Sequence, residues 1–264
     1  MKNILVFNKV IIYKILLSPL FCLPIYLLVY FTQKSNTKGI DFFVTMTFQN
    51  INVDSIKYII PVLIWLVPHF IIFHILSMSV EQDMENTFIY VFTRSGIRTK
   101  WLVYKLISFM VYVFIYYVLQ YITAILMYFF MTGSTLCTSI NAILQSFILC
   151  LVFSYTIILS VNIISLKIPV IYGYCISMSV IILSIFIAGY SYNVKSQTVT
   201  GLLKVLPSSN FVFTWHDDLP DGFSTISAFH LRGFTVFDSI LYFTLICTVL
   251  IIIGMHVIRR KDIL

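Results

Sequence analysis

The sequence predicts an all-α membrane protein with six transmembrane helices, and three observations predict it. Hydrophobic residues make up 60% of the chain and charged residues 10%, with a mean hydropathy of +0.99, whereas a soluble domain is about a quarter charged. Six apolar runs, near 15–31, 58–80, 102–127, 140–164, 169–190 and 239–258, reach the ~20 residues that cross a bilayer as helix. No stretch shows the ~10-residue apolar–polar alternation of a membrane barrel strand.

The elements follow in order. Residues 2–14 read as an interfacial helix, with Lys2, Lys9 and Lys14 at headgroups and Ile4, Leu5, Phe7, Ile11 and Ile12 dipping inward. Tyr30-Phe31-Thr32-Gln33-Lys34 offers no small-residue cleavage site, so the first run is a retained span. Ser18-Pro19 and Pro24 predict a bend in it, and Pro61 and Pro68 a kink or unwound turn in the second. The third run stays apolar to Met131 and predicts a tilted or overlong helix. Residues 32–57 read as a moderate polar loop, and 132–139 and 165–168 as tight turns. The 191–238 loop is long. Its segment TGLLKVLPSSNFVFTWHDDLPDG is too apolar for a solvated loop and too broken for a span, so part of it lies in the interface or re-enters the membrane. Trp215, Phe211, Phe213 and Phe223 fit a headgroup anchor. The whole chain, 1–264, reads as one transmembrane domain.

Charge gives the orientation. With both termini, the 81–101 segment and the 165–168 turn placed together, that side holds eleven basic and four acidic residues, a net +7; the other side holds six of each. The bias predicts cytoplasmic termini. The overall +7 is therefore a topology signal and not a sign of nucleic-acid binding, with contact to anionic membrane lipid a secondary expectation.

Chemistry is scarce. None of the ten carboxylates sits within a predicted span, which disfavours an ion-coupled carrier. No GxxxxGK stretch exists, so a P-loop is not expected in this chain. The five cysteines form no CxxC and no disulfide framework. His69 and His74 share one span but lie about 140° apart around it, which suits packing better than a metal pair. Gly189-Tyr190-Ser191 is a GxS triplet that would suit a serine hydrolase only if His216 or His230 reached Ser191. His216, Asp217, Asp218 and Asp221 offer a cation cluster, a solvated loop being the blander reading. Gly173, Ser177, Ser184 and Ala188 keep one face of the fifth span; such small residues allow close helix approach, within the chain or at a subunit interface.

One polar segment interrupts this apolar sequence. Residues 81–105 read EQDMENTFIYVFTRSGIRTKWLVYK, with Glu81, Asp83 and Glu85 first and Arg94, Arg98, Lys100 and Lys105 last. That order complements a helix macrodipole and marks a gripping point for a soluble partner. Glu85-Asn86-Thr87, an apolar stretch, then Arg98 and Lys105 resemble a signature of the type-2 ABC exporter permeases: acidic-x-Gly-Thr, a short helix, a turn with Arg, and Lys entering the third span. Asn86 stands in place of the usual Gly, and Gly96 in place of a Pro-Ile-Ser type of turn. The end, Val257 to Leu264, is similar to the family's closing F-x-R-[RK]-D-[IL].

The resemblance implies a coupling helix between spans two and three that docks on a separate ATP-binding subunit. Glu81, Asp83, Glu85, Asn86, Thr87, Arg94, Arg98 and Lys105 would set its register, while Phe88, Ile89 and Phe92 fill the partner's cleft. It also implies that ATP and Mg bind the partner and no cofactor binds this chain, and that a second permease subunit completes a homo- or heterodimer through faces such as Gly173, Ser177, Ser184 and Ala188. Seventeen Tyr and few charges suit an amphipathic or hydrophobic cargo. Four Ala and abundant Ile, Lys and Asn suggest an AT-rich bacterial genome and a bacterial cell membrane. By analogy, permeases of this length serve peptide-antibiotic export or self-immunity. Two other classes stay open: a sensor or accessory subunit that binds a cytoplasmic partner without transport, and an intramembrane hydrolase dependent on Ser191.

Overall fold

The computed structural model describes residues 8–33, 39–51, 56, 58–84, 98–134, 136–191, 197–220, 223 and 230–260. In chain order its helices are α1 (Lys9–Gln33), α2 (Ile40–Gln49), α3 (Ile59–Ser77, resuming after a turn at Met78 as far as Met84), α4 (Arg98–Thr132), α5 (Ile140–Ile164), α6 (Val170–Ser191), α7 (Gln197–Val205), α8 (Pro207–Phe211) and α9 (Val236–Arg260). Six of them, α1, α3, α4, α5, α6 and α9, are long and apolar enough to cross a membrane. Among the described residues there is no strand. The chain is thus an all-helical, multi-pass membrane protein with the six spans that the hydropathy predicts.

Two ends can be told apart. At one, called here the near end, Asp83 meets Lys105, Glu81 meets the start of α6, and Gly254 packs on Ile163 and Leu102. At the other, the far end, Ile40 N–H donates to Leu136 O at 2.8 Å. α5 lies at the centre: 61% of its most apolar window is buried, against 22% for α9 and 28% for α1, which turn most of their surface to lipid. The exposed stripe Phe237, Leu241, Leu245, Val249 and Ile252 recurs every three or four residues along α9, as a lipid-facing helix side must.

α4 has 35 residues, about 52 Å at 1.5 Å per residue, well beyond the ~30 Å hydrocarbon core. The overlong third run is therefore one continuous helix. α1 runs unbroken through Pro19 and Pro24, and α3 through Pro68. The described interruption of α3 falls instead at Met78, where Asn162 of α5 repairs the ladder: its side-chain oxygen accepts from Val80 N–H at 3.2 Å and its amide donates to Leu76 O at 3.1 Å. Lys9 to Lys14 belong to α1 itself and not to a separate interfacial helix, while residues 2–7 of that expected helix lie outside the described residues.

Two expectations about loops need correction. Residues 32–57 are not simply polar loop: all ten residues of α2 are buried. Ten residues span only about 15 Å, half a bilayer, which is why hydropathy did not mark them. α2 starts at the far end and stops at mid-depth, where Phe48 meets His69 of α3 and stacks on Tyr121 of α4. The 207–216 segment does the same from the far end. Phe211 reaches mid-depth, stacked on Phe153 of α5 at 3.8 Å between centroids and edge-on to His69 at 4.8 Å. Phe211, Phe213, Trp215 and Phe223 are all buried within the protein. They are core residues, not headgroup anchors, because the neighbouring helices enclose them.

Candidate functional sites at the near end and at mid-depth

The charged segment begins where α3 ends. Glu81 Oε1 accepts the N–H of Val170, the first residue of α6, at 3.1 Å. A carboxylate at that position answers the unpaired amides and positive dipole of a helix start. Asp83 Oδ2 accepts from Lys105 Nζ at 2.7 Å, and the same ammonium lies 5.6 Å above the Phe109 ring. Lys105 is 15% and Asp83 34% exposed, so water screens the pair only in part. Glu81, Asp83 and Lys105 thus tie α3 to α6 and α4 within the chain, instead of standing free for a partner. Arg98 opens α4 and is half-buried. Glu85, Asn86, Thr87, Phe88 and Arg94, with Ile89 and Phe92, lie outside the described residues.

A second cluster sits at mid-depth. His69 is fully buried. Its Nε2 lies 3.0 Å from Phe48 O and its Nδ1 2.7 Å from Tyr117 OH. A carbonyl only accepts, so Nε2 carries the proton and Nδ1 accepts from Tyr117. Tyr117 OH in turn lies 2.6 Å from Ser154 Oγ, which supplies the next proton. Phe48 is in the last turn of α2, where carbonyls lack helical partners. His69 therefore closes the end of α2, and the chain Ser154–Tyr117–His69–Phe48 joins α5, α4, α3 and α2. His74 is exposed on the other side of α3, as the spacing predicted.

α4 supplies several further buried polar contacts, which hydropathy does not mark. Tyr112, Tyr116, Gln120 and Ala124 recur every four residues on its buried face, with Tyr117, Tyr121 and Tyr128 beside them. Tyr116 OH donates to Pro68 O, and Gln120 receives Tyr26 OH while donating to Ser18 Oγ at 3.0 Å. Tyr121 OH meets Ser146 Oγ at 2.7 Å. The signal was present as four-residue tyrosine spacing. A phenol combines a large apolar ring with one hydroxyl that needs a partner when buried.

The far-end clusters resolve differently from the readings offered for them. His216 Nδ1 lies 3.0 Å from Phe213 O, so Nδ1 is protonated and Nε2 accepts from Ser239 Oγ at 2.7 Å. Desolvation holds this imidazole below its ordinary pKa. Asp217 accepts Gly233 N–H at 2.9 Å and Asp218 accepts Val236 N–H at 3.0 Å, so both carboxylates serve backbone amides and the start of α9. No group of three metal-ligating side chains exists among the described residues; Asp221 lies outside them. His216 serves Ser239, not Ser191. Gly189 of the GxS triplet has a packing reason instead: a Cβ there would come within 2.4 Å of Ile56.

The small stripe of α6 is spent inside the chain. A Cβ on Gly173 would meet Val161 O at 3.1 Å, Ser177 Oγ lies 2.8 Å from Ser160 Oγ, and Ser184 and Ala188 are buried. On the opposite face Tyr172, Ile176, Val180, Leu183 and Ile187 are exposed. Asp41 is buried too, accepting from Thr138 Oγ1 and from Ser139 N–H at 3.0 Å. It secures the far end of α2 to the start of α5. No protein-family model, curated protein or solved structure matches this chain.

Proposed function

We propose that this chain is the transmembrane permease subunit of an ATP-powered exporter of the type-2 ABC kind, with ATP and Mg bound by a separate subunit that docks on the 81–105 segment. The observation that carries the reading is the bracing of that segment's ends. On one side Glu81 and Asp83 are fastened to α6 and α4; on the other, Arg98 and Lys105 open α4. A force applied between them would reach three spans through short, charge-assisted bonds, and near-rigid helices would carry it across the membrane. The resemblance of Glu85-Asn86-Thr87, Arg98 and Lys105 to the family's coupling signature points the same way, and so does the buried phenol-rich interior, which suits an amphipathic peptide, lipid-like or hydrophobic cargo. Export of, or self-immunity to, a peptide antibiotic at a bacterial cell membrane is the biological setting we infer, with a second permease subunit on the exposed face of α6.

Glu85→Lys and Arg98→Glu test the docking. Each variant should insert and migrate on gel filtration as the parent does, yet lose its ATP-binding partner and ATP-dependent transport. Retained partner and transport in both variants would remove the coupling assignment, and capture of a kinase instead would favour the sensor reading.

A further inference from the structure

We propose that the near end binds the headgroups of anionic phospholipids, through Lys100 and Arg259 at the feet of two adjoining lipid-facing stripes and through Lys9 and Lys14 on α1. The proposal concerns this chain alone and does not rest on the permease reading.

The exposed side of α4 runs Phe114, Met110, Ile107 and Val103 toward the near end and finishes at Lys100, also exposed. The exposed stripe of α9 runs Leu245, Val249 and Ile252, then continues at the same spacing of three or four residues to His256 and Arg259. The two helices lie side by side there, since a Cβ on Gly254 would come within 3.4 Å of the Leu102 side chain. Apolar surface for acyl chains therefore ends in a cation on both sides of one helix contact. On α1, Lys9 and Lys14 are exposed, and Lys14 shares its side with Val10 and Phe21. Its stem can lie along that apolar surface while the ammonium reaches back to the headgroups.

The depths fit a bilayer. Lys9 and Phe31 on α1, like Phe237 and Arg259 on α9, are 22 positions apart within one helix. That is about 33 Å at 1.5 Å per residue, close to the ~30 Å hydrocarbon core. The far-end member of each pair is an exposed aromatic ring, and the near-end member is an exposed cation.

Charge selects the lipid. Glu81 and Asp83, the near-end carboxylates among the described residues, are taken up by Val170 N–H and Lys105. Among the described residues, none of Lys9, Lys14, Lys100 and Arg259 has a carboxylate partner. The far end is different: Asp217, Asp218 and Asp238 are exposed beside Arg232, and the Lys204 ammonium is spent on Arg232 O. A zwitterionic headgroup brings its own ammonium, whereas an anionic one brings the net negative charge that the near-end cations lack.

The test compares spin-labelled phosphatidylglycerol with spin-labelled phosphatidylcholine at the full-length chain in phosphatidylcholine vesicles, read as the motionally restricted fraction by electron paramagnetic resonance. Phosphatidylglycerol should be preferred about threefold in 0.1 M salt and hardly at all in 1 M salt. Replacing Lys9, Lys14, Lys100 and Arg259 together by Gln should abolish the preference. The milder pair Lys100→Gln with Arg259→Gln should remove about half of it, and the far-end pair Lys204→Gln with Arg232→Gln none. No preference in the parent, or a preference that survives either 1 M salt or both near-end sets of substitutions, overturns the proposal. Lys100 lies inside the 81–105 segment, so co-purification from native membranes is run on the same variants. A near-end variant that loses its protein partner yet keeps the lipid preference would make these cations protein contacts and would also overturn it.

Discussion

At mid-depth the tips of two short segments are held between the spans by aromatic rings and neutral hydrogen bonds, while the Asp41 carboxylate fastens the far start of α2. Phe211 lies on Phe153, Phe48 on Tyr121, and a proton-ordered chain from Ser154 through Tyr117 and His69 ends on Phe48 O. At the near end the fastenings are ionic or charge-assisted: Glu81 on the start of α6 and Lys105 on Asp83. The difference follows from solvent. At mid-depth no water pairs a charge, so each attachment must be neutral and fully bonded, or else stranded as Trp65 Nε1 is. Near the surface a charge keeps part of its hydration and can hold three spans in register. The near end is thus held by charge, and the mid-depth contacts by rings and neutral hydrogen bonds.

The comparison breaks first at Phe211. Phe211→Ala empties the contact with Phe153, Trp65 and His69 and should be destabilising by about 3 kcal/mol, read as the midpoint of denaturant unfolding in micelles. His69→Ala comes next. It leaves Phe48 O unpaired and takes from Tyr117 OH its acceptor, Ser154 remaining its other partner, and about 1–3 kcal/mol should be lost. Tyr117→Phe, which removes one hydroxyl and keeps the ring, should be milder by the same assay, near 0.6–1.7 kcal/mol. If the two variants were equal, the imidazole would be packing only and not closing α2.

The near end should respond more weakly and to salt. Lys105→Ala and Asp83→Ala should each be destabilising by about 1 kcal/mol, and a double-mutant cycle should return most of that as coupling, smaller in 1 M salt than in 0.1 M. The charge swap Asp83→Lys with Lys105→Asp should restore part of it. Salt-independent coupling would place the pair in the same regime as mid-depth. The smallest effect concerns His216. Its folded pKa is depressed by burial, so the unfolded chain binds more protons below its ordinary value of 6.5. Stability should therefore be fully present above pH 6.5 and decline as pH falls below it. Asp218 and Asp238, whose charges raise the pKa, moderate the decline, and His216→Gln should flatten the profile.

The six spans were legible because each is a long apolar run, and apolar length alone selects a membrane helix. The short buried elements were half legible. The mixed composition of 200–222 signalled something neither loop nor span, but its aromatic residues read as a headgroup anchor, whereas they are core. α2 escaped because ten buried residues lie below the length that hydropathy rewards, and Asp41 and Gln49 gave it a polar fringe. The charged segment was legible as a place, not as contacts. Charge order predicts a helix dipole, whereas the bonds of Glu81 to Val170 and Asp83 to Lys105 link residues 89 and 22 positions apart. The stripe Gly173, Ser177, Ser184 and Ala188 showed close approach correctly and could not show to what. Small side chains record that a neighbour is near, and only the fold names α5 as the neighbour of Gly173 and Ser177.

The central claim is that a separate ATP-binding subunit grips the near end, and co-purification tests it most directly. The chain would be drawn from its native membrane in mild detergent and its companions identified by mass spectrometry. The account predicts a P-loop ATPase at a fixed ratio to this chain, lost from the Arg98→Glu variant and kept by Phe211→Ala. A stable complex without any ATPase, or an ATPase retained equally by both variants, would contradict it.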